Sequence, residues 1–232
     1  MIKEMHYMFK LKLNKGDSQN FRNFLVPEID LFLNEAQTIF VKTIAEPRFR
    51  TQLGFETSHR TIEDIRPIVI TDASATITGD VVTLPNNYWY YTKSKCKISK
   101  GNCTGLDAKV IVRQHDDDFE NNPFYESSFE WREVNAVFNK DGIKLYPKNF
   151  TVSDFKLSYI KKPAYIHDAE SHSGSGYVSL SQGTLTGFQN SELPIDTHAE
   201  IVDIAVMIAT GVLQIPDLQT KIEKLKLNQL IN

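Results

Sequence analysis

From Ile68 towards Pro163 the apolar residues of this chain recur at every second position in short runs, whereas over 27–46 and 198–213 they recur at every third and fourth. A period of two fits a strand with one buried face, and a period near 3.6 fits a helix packed along one stripe. The switch therefore fixes three stretches of chain before any motif is considered.

In the first stretch, 27-PEIDLFLNEAQTIFVKTIAE-46 is the clearest helix. Pro27 suits the first helical position, and Glu28 and Asp30 complement the dipole of the first turn. Ile29, Phe32, Leu33, Ala36, Phe40 and Thr43 form its stripe, which Ile39 and Ile44 widen. A shorter helix is expected over 57–66, stopped by Pro67. Residues 6–14, HYMFKLKLN, alternate apolar and polar and predict a strand, closed by the turn formers NKGDSQN. In the last stretch, Thr197 and Glu200 have capping-box spacing ahead of a helix over 198–213, striped by Ile201, Ile204, Ala205, Ile208 and Val212. After Pro216 a further helical segment carries Leu218, Ile222, Leu225 and Gln229 on one face.

The middle stretch supplies short β-like runs separated by turns, from IVIT through YWYYTKSKCKISK and DAKVIVRQ to FKLSYI, where Phe155, Leu157 and Tyr159 share a face. It predicts an antiparallel sheet or small barrel. The expected fold class is α+β, a helical bundle formed by the N- and C-terminal helices with an inserted antiparallel β-sheet or barrel module. Four segments follow: a strand and helices over 1–66, the β insertion over 67–162, a Ser/Gly-rich arm or hairpin over 163–193, and helices over 194–232. In the arm, YVSLS and TLTGF flank Gln182-Gly183, the composition of an exposed hairpin.

The net charge of −3 gives the whole molecule no general attraction for nucleic acid. The N-terminus shows no signal-peptide pattern, so synthesis is expected in the cytoplasm. Cys96 and Cys103 are the only cysteines and are expected as free thiols in that compartment.

The most chemical-looking run is 115-HDDDFENNPF-124. Consecutive aspartates on an extended segment point to alternate faces, and the spacing lacks the glycine and the alternate acids of a calcium loop. Residues His115, Asp116, Asp117, Asp118 and Glu120 therefore suggest a hydrated loop. No nucleophile elbow or Walker loop occurs. His167 and His172 beside Asp168 and Glu170 are expected as surface residues. Trp89, Tyr90 and Tyr91 beside Lys93, Lys95, Lys97 and Lys100 have the composition of a single-strand groove. Alternation also places Lys93, Lys95 and Lys97 on one solubilising strand face. No catalytic, cofactor or metal residue is assigned.

Several short motifs resemble one family. The run 11-LKLNKGDSQN-20, with Asn14, Lys15, Asp17, Ser18 and Gln19, precedes a helix whose core is Asn34, Glu35, Ala36 and Gln37. Further on come Leu84-Pro85 before Tyr88 and Trp89, His115-Asp116-Asp117 before Asn122-Pro123-Phe124, and the closing SYIKKP. The set is similar to the head–tail connector or adaptor (ring, neck) structural proteins of crAss-like tailed bacteriophages.

That resemblance implies a non-enzymatic virion protein at the head–tail interface. It implies a homo-oligomeric ring below the portal, a dodecamer, with the portal and further neck and tail ring proteins as partners and DNA passing through the lumen. It involves no cofactor and no membrane. Tyr177, Val178, Leu180, Leu185 and Phe188 of the arm, and Leu218, Ile222 and Leu225 of the last helix, are the candidate partner-interface residues. Two other classes compete: a β-rich module binding glycan or single strands through Trp89, Tyr90 and Tyr91, and a metal-dependent nuclease or depolymerase using Asp116 and Asp118.

Overall fold

A computed structural model describes residues 1–14, 24–45, 63–114, 124–174, 176–179 and 181–212. The chain divides into two compact units, one formed by 1–68 with 163–232 and the other by 69–162. The fold is mixed, with few helices and one large, nearly closed sheet.

In the first unit, residues 6–14 are helical rather than a strand. Helix α1 spans Ile2–Asn14 and buries Ile2, Met5, Phe9 and Leu13, which follow one another at three- and four-residue steps. The Phe–Lys–Leu–Lys–Leu alternation that suggested a strand is also satisfied by this helix. Phe9 and Leu13 turn inward, Leu11 faces solvent, and Lys12 reaches Asp203 at 2.6 Å. Helix α2, Val26–Ala45, buries Ile29, Phe32, Leu33, Ala36, Phe40 and Ile44 of the expected stripe, whereas Thr43 and Ile39 face solvent. Phe9 and Phe32 stack with centroids 6.2 Å apart, and Phe24 meets both edge-on. Phe9 and Phe32, both buried, each contribute about 1.5–3 kcal/mol through that burial.

Of the short helix expected over 57–66, residues 63–65 are helical and lead into a 3-10 turn, Arg66–Ile68; 57–62 lie outside the described residues. The C-terminal helix, His198–Val212, touches both α1 and α2 through Ile201, Val202, Ala205 and Ala209. At its start the Thr197 hydroxyl donates to the Pro194 carbonyl at 2.8 Å, closing a 3-10 turn that feeds the helix.

The second unit is an eight-stranded sheet. Its strands are β1 (Val69–Ala75), β2 (Ile77–Thr78), β3 (Val81–Val82), β4 (Tyr88–Lys100), β5 (Cys103–Arg113), β6 (Glu133–Asn139), β7 (Gly142–Tyr146) and β8 (Thr151–Lys161). They lie in the order β1-β8-β4-β5-β6-β7-β3-β2. The two outermost strands, β1 and β2, are one run of chain broken only at Thr76. One bent strand thus pairs with β8 at one end and β3 at the other, leaving few unpaired edge groups. Inside lie Cys96, Ile98, Val134, Ile143 and Leu157, together with Phe155 and Tyr159 from the predicted β8 face.

One pairing departs from the antiparallel expectation. Strands β5 and β6 run parallel, from Lys109 against Glu133 to Arg113 against Val137. Parallel neighbours cannot be joined by a tight turn and need a long crossover. Residues 114–132 are that crossover, and the Asp-rich run belongs to it.

Candidate partner-facing surface

Within the first unit, the described residues of 163–193 form a strap packed along α2. Helix α2 holds the strap with polar side chains that sit in register with its apolar stripe. Asn34 and Gln37, one turn apart, form the grip. The Asn34 amide donates to the Ile166 carbonyl at 2.7 Å, while its oxygen accepts the Ile166 N–H at 2.8 Å. Gln37 donates to the Ala164 carbonyl at 3.1 Å and accepts from the Ser191 hydroxyl at 2.9 Å. Ala36, between them, is fully buried. The Asn-x-Ala-Gln motif therefore replaces a missing strand neighbour for the strap's backbone, whose polar groups need partners wherever they are buried.

One turn earlier, Asp30 is 0% exposed. Its carboxylate gathers three partners from three places: His6 Nε2 of α1 at 2.7 Å, the Asp168 N–H at 3.1 Å and the Tyr177 hydroxyl at 2.7 Å. Burial, then the adjoining Asp30 carboxylate, push the Tyr177 phenol well above its ordinary range. Tyr177 therefore stays a hydrogen-bond donor. The neighbouring Asp168 Oδ1 and His167 Nδ1 are buried with no hydrogen-bond partner among the described residues. His167 is thus not the plain surface histidine expected, and His172 packs edge-on to the Tyr177 ring at 5.7 Å.

Beyond this anchor the chain forms a hairpin. Strands β10 (Tyr177–Ser179) and β11 (Gly183–Leu185) pair antiparallel, and β12 (Phe188–Gln189) pairs with β9 (His167–Asp168). Gly176, at φ +81°, lies so close to Leu185 that a Cβ would stand 2.0 Å from the Leu185 carbonyl oxygen.

Of the candidate interface residues, Val178 is 75% and Phe188 56% exposed, Tyr177 and Leu185 are half-buried, and Tyr177 spends its hydroxyl inward. Leu180, Leu218, Ile222 and Leu225 lie outside the described residues. His6 was missed from sequence, Asp30 was read only as a complement to the helix dipole, and Gln37 only as part of the family motif. Their signal was polar residues at the inward spacing of an apolar stripe, since Asp30, Leu33, Gln37, Phe40 and Ile44 follow one another at three- and four-residue steps.

The other candidates are less surface-like than a ligand platform needs. Trp89 stacks on Tyr90 with centroids 4.9 Å apart, and Tyr91 meets Phe138 edge-on while bonding Ser94 at 2.8 Å. Lys95 is paired with Asp72 at 2.8 Å and Lys97 with Asp154 at 3.3 Å, so that strand face carries matched charges. Among the described residues no three His, Cys, Asp or Glu side chains converge on a metal position. His115, Asp116, Asp117, Asp118 and Glu120 lie outside the described residues. No described helix is long and apolar enough to cross a membrane.

A family model described as phage tail ring protein 3/4 matches residues 2–217, which takes in both units. The chain belongs to the phage tail ring protein 3/4 family. It is a structural phage protein and a virion component, of the crAss-like ring type that the Asn-x-Ala-Gln motif and its companions suggested. In this ring protein, the grip of α2 on the strap is what that motif does physically. No curated protein matches the chain.

Proposed function

We propose that this tail ring protein assembles with copies of itself into a ring below the portal, through which DNA passes. The observation that carries the reading is the family match from residue 2 to residue 217, spanning helices, sheet and strap alike. In this reading the N- and C-terminal helices act as a bundle carrying the β module. The ring is dodecameric, and its neighbours are the portal and the adjoining neck or tail rings. The protein works by assembly, and no catalytic, cofactor or metal role is part of the proposal.

Supporting it, the strap presents Val178 and Phe188 outward from a rigid anchor, which lowers the ordering cost of docking. Leu180, Leu185 and the last segment with Leu218, Ile222 and Leu225 complete the proposed contact set. The net charge of −3 suits a channel that passes DNA without gripping it, since like charge lowers affinity for phosphate.

The test is negative-stain imaging of the purified chain, alone and mixed with the portal protein of the same phage. Rings, or a new layer of density under the portal ring, are expected. A chain that stays monomeric in both samples overturns the reading.

A further inference from the structure

The hairpin of β10 and β11 projects from the strap between two fastened stretches. On its entry side Asn34 grips Ile166 and Asp30 takes the Asp168 N–H, and both strap residues are buried. On its exit side Phe188 and Gln189 pair with Asp168 and His167, and buried Ser191 donates to Gln37. Between these points burial stops. None of the described residues from 171 to 190 is buried, and Val178, Gly183 and Thr184 of the hairpin are exposed.

The junctions on both sides are glycines with room to turn. Gly174 precedes the hairpin and Gly187 follows it, and a Cβ on either would meet nothing within 4 Å. Gly187 stands at φ +71°, and its carbonyl accepts the Glu170 N–H at 2.8 Å, so it is a fastened point beside the hairpin. Gly176 is the opposite case. Its close approach to the Leu185 carbonyl locks the base of the hairpin, where Tyr177 also pairs with Leu185. Movement therefore carries the hairpin as one body, with the backbone freedom at Gly174 and Gly187.

Few contacts hold this body down. Ser173 and Gly176 bond each other across Gly174 at an exposed turn, and Tyr165 and Ser179 share a side-chain hydrogen bond. The Tyr177 ring lies edge-on to His172, and its hydroxyl donates to Asp30 Oδ2 at 2.7 Å. Only this last bond uses a charged acceptor that is 0% exposed, which makes it the strongest single tie. A segment with so little apolar burial opens locally, well below the free energy of global unfolding.

We infer that the β10–β11 hairpin is a latched arm. It swings as one body about Gly174 and Gly187 while α2 and the gripped strap stay folded, and the Tyr177–Asp30 bond is the latch that keeps it closed. The device belongs to each copy of the chain and does not depend on the ring reading. Val178 and Leu185 move with the arm, so the latch decides where these two candidate contact residues stand. Because the latch carboxylate also meets His6, the closed arm and α1 share one buried anchor.

Amide hydrogen exchange of the full chain, read by mass spectrometry after proteolysis, tests the arm. In wild type the peptide covering 177–186 should exchange faster than α2 and faster than 163–169. Tyr177→Phe keeps the ring against His172 and removes only the donor, so exchange over 177–186 should speed up about tenfold or more while α2 is unchanged. Gly174 has no left-handed φ. Gly174→Ala therefore restricts the open arm without strain in the closed one, and should slow exchange about two- to fivefold. A wild-type hairpin that exchanges in step with α2 overturns the inference, since it would then open only with the whole unit. A Tyr177→Phe hairpin that keeps the wild-type rate overturns it too, as does a rise spread equally over α2. So does a Gly174→Ala hairpin that is not slowed.

Discussion

The hydroxyl of Tyr177 donates to Oδ2 of Asp30 at 2.7 Å, tying the start of a hairpin to a buried helical carboxylate 147 residues earlier in the chain. The same carboxylate takes the Asp168 N–H and meets His6 Nε2. One side chain on α2 thus positions α1, the strap and the hairpin together.

Removing that side chain should cost far more than removing any one partner. Asp30→Ala leaves three polar groups facing a dry void, a loss of about 3–5 kcal/mol. Tyr177→Phe removes a single donor to a charged acceptor and should cost about 1.5–3 kcal/mol. Urea unfolding midpoints of the two variants and wild type give the comparison. Equal costs would show that Asp30 serves the hairpin alone.

Two glycines in the sheet unit separate backbone strain from steric collision. Gly79, at φ +64°, has open space where a Cβ would go, so Gly79→Ala should cost only the left-handed backbone, about 1–2 kcal/mol. Gly142 opens β7 at φ +143°, with the Val82 carbonyl oxygen 2.1 Å from an ideal Cβ. There β7 must move off β3, and Gly142→Ala should lose about 3 kcal/mol or more or fail to fold. Thermal midpoints would rank the two, and Gly142→Ala matching Gly79→Ala would refute the collision argument.

Much of the architecture was legible because burial follows period. The α2 stripe and the Phe155–Leu157–Tyr159 face are inward as alternation and helical spacing require. Residues 6–14 were not, because Phe9, Leu11 and Leu13 separated by lysines satisfy both periods. Ile2 and Met5, earlier in the chain, settle the matter by extending the three-and-four spacing. The parallel β5–β6 pair was hidden for a different reason. A parallel pair requires a long connection, but a long connection does not dictate direction, and residues 114–132 contain turn formers that also suit an ordinary loop. The anchor at Asp30 was legible only as a polar residue at an inward position of the α2 stripe, while its partners, 24 and 147 residues away, leave no local pattern.

The two thiols should differ sharply in reactivity. Burial pushes the Cys96 thiol up to about 12, whereas Cys103 lies exposed at the start of β5. The thiolate is the nucleophile, so at pH 8 a soluble disulfide reagent should modify one cysteine rapidly. Cys96 should react only when denaturant opens the sheet. Peptide mapping identifies the site, and rapid modification of Cys96 in the native protein would contradict its place in the core.

His198 gives the first unit a pH dependence with a definite sign. Its ring is buried at the start of the C-terminal helix, and Nε2–H donates to the Leu193 carbonyl at 3.2 Å. Burial lowers its pKa below the ordinary 6.5, with the N-terminal ammonium acting in the same direction against Glu4, Asp196 and the Leu193 bond. At pH 8 the ring is neutral folded and unfolded, so it adds no slope there. As the pH falls through 6.5, the unfolded chain binds the proton first, and stability drops until the folded ring also protonates. His198→Gln removes that step while leaving a side-chain donor for Leu193. The stability of wild type relative to this variant, from urea midpoints, should be constant between pH 8 and about 7 and shrink below pH 6.5. A difference that stays flat down to pH 5 would mean that the buried ring takes up its proton as readily as a free one.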